Sequence, residues 1–156
     1  MRKSLTFLGG LLAVAAIAVQ FIRPEKNLRS GPPGPDDLRT LHPPPPAVQA
    51  QLEHACYDCH SNHTRYPWYA EIQPLGWWLD RHVRDGKREL NFSQFGNYSR
   101  RRQAALLDAI VDAVGDRTMP LPSYTWIHRD AVFDDDDASG LIAWIEATRD
   151  RIEDGP

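Results

Sequence analysis

The chain has 156 residues, 42% of them hydrophobic and 25% charged, with a formal net charge of −3. That composition fits one ordinary globular domain with an appendage and excludes a polytopic membrane protein, a collagen-like repeat and a fully disordered chain. Two cysteines are too few for a disulfide-stapled mini-protein, and 18 basic against 21 acidic residues give no signature of nucleic-acid binding.

Arg2 and Lys3 open the chain, and residues 4–22 then run 19 positions without a charge. Such a run is either a secretory signal peptide or a single membrane anchor. Ala16-Ile17-Ala18 offers a small-x-small cleavage site, yet the apolar run continues through Val19, Phe21 and Ile22. As one helix it would reach roughly 28 Å, enough to cross the hydrocarbon core. Residues 1–22 are therefore expected to form an inner-membrane anchor, or a leader for secretion to the periplasm if cleaved. Lysine and arginine counting does not orient it, because Arg23, Lys26 and Arg29 follow the run as closely as Arg2 and Lys3 precede it.

Residues 23–46 hold Pro24, Pro32, Pro33, Pro35 and the block 43–46, eight of the 13 prolines. Proline at that density favours extended backbone and predicts a semi-rigid stalk. The globular domain is then residues 47–156, small but long enough for a core. Residues 47–60 read as a helix with Pro46 just before it. Residues 74–87 read as a second, with Leu75, Trp78, Leu79 and His82 on one face. Residues 99–114 are the clearest, with Ser99 as cap, Leu107, Ile110, Val111 and Val114 as apolar stripe, and Gly115 as stop. The last begins in the acidic run 134–137, which suits the positive end of a helix dipole, and buries Leu141, Trp144 and Ile145. Nothing alternates as a strand. The fold class is all-α, with long loops at 61–73 and 116–133 that point to a cofactor filling the centre.

Both cysteines fall in Cys56-Tyr57-Asp58-Cys59-His60. This is the Cys-x-x-Cys-His pattern of covalent c-type haem attachment. Two thiols three residues apart on one turn reach two vinyl groups on one porphyrin edge, and the next residue aims its imidazole at the iron. Three other readings use the same residues. A thioredoxin-like redox pair expects a preceding strand, and none is visible. A zinc site would add histidines such as His63 or His128, but structural zinc prefers more cysteines. A plain Cys56–Cys59 disulfide is the third. For the sixth iron position, Met119 stands in a Pro-rich polar loop where helix packing does not explain it, and methionine is the usual partner of histidine in cytochromes c. His82 and His128 are its rivals in a bis-histidine site.

The stretch from Cys56 through Tyr69 resembles the bacterial haem-binding domain family of small exported single-motif proteins. So do Pro74-Leu75-Gly76-Trp77-Trp78, Asn91-Phe92-Ser93, Met119-Pro120 and Tyr124 through His128. The resemblance spans roughly residues 20–148. It implies a cytochrome c-like helical domain wrapped around one haem c on Cys56, Cys59 and His60, and by position it supports Met119 as the distal ligand. The aromatic set then gains a role. Tyr66, Trp68, Trp78 and Tyr124, with Tyr69 and Trp77, could wall the haem, and Arg65 or Arg81 could pair with its propionates; the alternative is that the aromatics are simply core residues. His60 should donate its other ring nitrogen to a backbone carbonyl, and the 67–74 loop is the expected source.

The function expected is electron transfer by a membrane-tethered monohaem cytochrome, exchanging electrons with redox partner proteins in the membrane or periplasm. Haem c is attached outside the cytoplasm, which would put the domain in the periplasm. The rival reading is a haem enzyme or gas sensor with an open sixth position, where His82 or His128 could serve as acid–base group. Residues 134–137 could dock a basic partner, or be only a solvated helix start.

Overall fold

The computed structural model describes residues 2–29 and 31–155; Met1, Ser30 and Pro156 lie outside them. Among the described residues there is no strand, only one isolated antiparallel bridge between Leu28 and His63, so the fold is all-α as expected.

The first helix, α1, covers Arg2–Ala18 and is 17 residues long. It stops there. Val19–Phe21 forms a 3₁₀ turn and Ile22 is extended. No helix among the described residues is long and apolar enough to cross a membrane. This overturns the expected inner-membrane anchor and the anchored periplasmic domain that went with it. The uncharged run is longer than its helix because its last residues are used by the domain. The Gln73 backbone N–H donates to Gln20 Oε1 at 2.9 Å, and Gln20 Nε2 donates to the Gln73 carbonyl at 3.2 Å. Trp77 Nε1 donates to the Ile22 carbonyl at 2.8 Å, and Arg23 pairs with Glu71.

The proline-rich stretch is not a free stalk either. Asn27 Nδ2 donates to the Ser61 carbonyl and to Thr64 Oγ1, both at 2.9 Å, and the Arg29 N–H donates to the Asn62 carbonyl at 3.0 Å. A short helix, α2 (Leu38–Leu41), follows its cap Asp37, and both Asp37 and Leu38 are fully buried. Proline prevents ladders and helices but not wrapping. The residues between the prolines carry the contacts.

Helix α3 (Pro46–Ala55) leads into a one-turn helix, α4 (Tyr57–His60), where a single helix over 47–60 was expected. The break is at Cys56, whose φ of −123° and ψ of −47° leave helical geometry. Helix α5 spans Leu75–Glu89, starting one residue and ending two residues later than expected. Its inward face is Gly76, Leu79 and Val83 rather than the expected Leu75, Trp78, Leu79 and His82; Leu75 and Trp78 are exposed. A 3₁₀ segment at Phe92–Asn97 buries Phe92 and Phe95. Helix α6 (Arg100–Gly115) is capped by Ser99, whose Oγ accepts from the Arg102 N–H at 3.3 Å. A short α7 (Pro122–Thr125) crosses the second long loop. Helix α8 (Asp135–Asp154) is capped by Asp134, whose carboxylate accepts from the Asp137 N–H at 2.7 Å.

The main core lies between α6 and α8, with Leu106, Leu107 and Val114 facing Leu141, Trp144, Ile145 and Ile152, and with Leu38, Leu52 and Phe95 closing it. Each such side chain contributes about 1.5–3 kcal/mol by leaving water. A smaller cluster of Tyr69, Leu79 and Val83 packs beneath Cys59. The motif turn sits between the two.

Candidate functional site

The turn at Cys56 is closed by its own carbonyl, which accepts from the His60 N–H at 3.0 Å and the Cys59 N–H at 3.2 Å. Both cysteines are free and half-buried. Burial, with Cys59 adding, pushes the Cys56 thiol up to about 12; burial, with Asp58 adding, pushes Cys59 up to about 11. Both are neutral thiols at neutral pH, the opposite of the depressed thiol that a redox Cys-x-x-Cys pair requires. Among the described residues no group of three or more His, Cys, Asp and Glu could hold a metal ion, which removes the support for a zinc cluster.

His60 Nδ1 faces the Leu90 carbonyl at 3.1 Å. A carbonyl only accepts, so Nδ1 carries the proton and Nε2 keeps its lone pair. Burial lowers the pKa of the ring against the backbone contacts of Leu90 and Gly86, and keeps it neutral. The carbonyl therefore comes from the end of α5, not from the 67–74 loop. The reason is how close α5 passes. A Cβ on Gly86 would lie 2.8 Å from the Cys59 carbonyl oxygen, so only glycine lets the helix ride on the motif turn.

Two adjoining cavities open beside this turn, of ≈ 300 and ≈ 200 Å³. Ala55, His60, Glu89 and Met119 line both; Cys56 lines the larger and Cys59 the smaller. Together they fall within the range of cofactor sites. Met119 is 39% exposed, and its N–H donates to the Ala113 carbonyl at 3.0 Å, which fixes its loop to the end of α6.

Of the six aromatics expected to wall the site, Tyr124 alone lines either cavity. Its hydroxyl bonds Asp58 Oδ2 at 2.9 Å and the His54 carbonyl at 3.0 Å, which ties the Met119–α7 loop to the motif. Burial and Asp58 raise its pKa well above the ordinary tyrosine value. Tyr66 lies elsewhere, its hydroxyl accepting the Asn27 N–H at 2.7 Å. Trp68 is 78% exposed, and Trp78 packs against His82 with ring centroids 4.3 Å apart. Neither expected propionate partner lines either cavity. Arg65 is held by Asp58 at 3.2 Å, and Arg81 faces Asp85 at 3.8 Å. Of the histidine rivals, His82 lines the smaller cavity; His128 stacks on Tyr124 and lines neither.

The lining of the larger cavity is mostly apolar. Leu106, Ile110, Val114, Phe92 and Phe133 line the larger cavity, together with Ala105, Ala109 and Ala113. The three alanines recur every fourth residue on α6, one small face beside the larger core stripe. That spacing was readable in the sequence, and it leaves a shallow trough that a flat group fills.

An all-helical domain with an apolar trough, a neutral imidazole and a thioether sharing both cavities, and two thiols along the edge, has the features of a haem carrier. The chain belongs to the haem-binding domain family, matching it over residues 14–147, and its cofactor is haem. No curated protein and no solved structure matches the chain. The residues fit that group: the trough is apolar and shallow, and the free His60 Nε2 is the nitrogen that an iron requires.

Proposed function

We propose that this protein is a monohaem c-type cytochrome that transfers electrons with His/Met-ligated iron. The observation that carries the reading is that Cys56, Cys59, His60 and Met119 border one pair of adjoining cavities, although Met119 is 59 positions beyond His60 in the chain. When bound, haem supplies one-electron iron chemistry. Cys56 and Cys59 would hold it through thioethers. His60 Nε2, oriented by the Leu90 carbonyl, and the Met119 sulfur would ligate the iron.

A methionine ligand raises the reduction potential, as does an apolar wall that disfavours the more highly charged oxidised state. Leu106, Ile110, Phe92 and Phe133 form that wall and exclude water. Electron transfer needs no general acid or base, and the partly exposed Met119 side leaves an edge from which a redox partner protein can take the electron.

The test is an optical spectrum of the full chain matured with haem, oxidised, reduced, and reduced with carbon monoxide, beside Met119→Ala. A low-spin spectrum with a far-red sulfur–iron band, indifferent to carbon monoxide and lost in the variant, is expected. Haem that is extracted by acidic solvent would overturn covalent attachment. A carbon-monoxide-reactive wild type would replace the carrier with a haem enzyme or sensor whose sixth position is open.

A further inference from the structure

Haem is an apolar disc with two carboxylates on one edge, opposite the edge that the thiols would take. A carboxylate beside an apolar trough requires a cation or strong donors. Arg102 is the one lysine or arginine lining either cavity among the described residues. Its Nη2 donates only to the Glu89 carbonyl, at 3.4 Å, and no carboxylate pairs with it among the described residues. The acids nearby are engaged elsewhere: Arg88 reaches Asp85 at 3.1 Å and Glu89 at 3.8 Å.

The position of Arg102 is unusual in a second way. α6 begins Arg100-Arg101-Arg102 with no acidic residue in its first turn. Cations at the positive end of a helix dipole are unfavourable unless an anion lies close. Arg100 is occupied by the Gly155 carbonyl at 2.7 Å. Arg102, on the cavity side, has only the longer contact to the Glu89 carbonyl at 3.4 Å, and no carboxylate among the described residues offsets its charge.

We propose that Arg102 is the propionate-binding residue of this site, its guanidinium pairing with a haem carboxylate and turning the carboxylate edge of the ring toward the start of α6. This rests on the reading of the site as a haem c pocket. The other titratable groups lining the two cavities are Glu89, Asp85 and His82 from α5, Cys56, Cys59 and His60 from the motif turn, and Tyr124 from α7. His82 Nδ1 lies 2.8 Å from the Trp78 carbonyl.

The experiment compares the midpoint potential of the haem-loaded full chain with that of Arg102→Gln and Arg102→Lys, from about pH 5 to 9, the range over which an unpaired buried carboxylate titrates. Every other titratable group is common to the three proteins, so the differences isolate the propionate. In wild type and Arg102→Lys the paired carboxylate stays ionised and adds no step. In Arg102→Gln it loses its cation, its pKa rises, and the potential gains a step that falls with rising pH, because the ionised carboxylate stabilises the oxidised iron. The far-red sulfur–iron band and covalent attachment persist in all three; their absence from wild type would defeat the haem c reading itself. A profile for Arg102→Gln that superposes on wild type, with haem and band intact, would overturn the role of Arg102. Should Arg102→Gln fail to fold, the propionate bending band in the resonance Raman spectrum of Arg102→Lys decides: it shifts if Arg102 holds the carboxylate, and an unmoved band overturns the proposal.

Discussion

The α6–α8 core and the motif turn are built by opposite means. The first is closed by shape: Leu107, Leu141 and Ile145 are completely buried, and no polar group is needed to place them. The second is held by directed bonds, with Leu90 on His60, Tyr124 on Asp58, and a glycine that lets α5 touch Cys59, while its apolar face stays open. α6 belongs to both regions. One of its faces is filled with leucines, and the other is kept shallow by alanines. The lesson is that a fold can be stable on one side of a helix and deliberately incomplete on the other.

The two regions should fail differently. The largest effect is expected for Leu107→Ala, which opens a cavity in the closed core and should cost about 2–5 kcal/mol in denaturant unfolding. Protein that remains folded should keep the wild-type spectrum; a changed spectrum would show that the regions are not separable. Tyr124→Phe should do the reverse. Losing its bonds to Asp58 and the His54 carbonyl should cost only about 1 kcal/mol, yet the Met119 loop loses its tie to the motif, so the reduced variant should acquire a carbon-monoxide complex, seen in its optical spectrum, that wild type does not form.

The smallest effect concerns pH. Burial, with Arg151 adding, lowers the His42 pKa below its ordinary 6.5, and its ring packs edge-on to Phe95 in the core. The unfolded chain therefore takes up the proton first, and this stability is present above about pH 6.5 and lost as the pH falls toward the folded value. The melting temperature of the haem-loaded protein should drop between pH 7.5 and 5.5, and less so in His42→Gln.

Much of this division was legible in the residues. Helical spacing of Leu107 and Val114, Ser99 and Asp134 as caps, and Leu141, Trp144 and Ile145 as a buried face are local signals, and the structure keeps each of them. The break at Cys56 was not legible, because both halves of residues 47–60 are good helix formers and the break comes from docking the motif turn against α5. The N-terminal run misled for a similar reason. Its hydropathy is real, but Gln20 and Ile22 are recruited by Gln73 and Trp77, more than fifty residues away.

By itself the sequence determined the all-α class, the motif and the candidate ligands, because periodicity, caps and a five-residue spacing are properties of neighbours along the chain. Only the tertiary structure decided which groups meet. It brought Met119 and His60 to the same cavities, left Trp68 and Trp78 in solvent, committed Arg65 and Arg81 to Asp58 and Asp85, and set Arg102 unpaired at the edge of the trough. The physical reason is that an aromatic or an arginine satisfies many partners equally well, and the choice among them is made by the packing of helices distant in sequence.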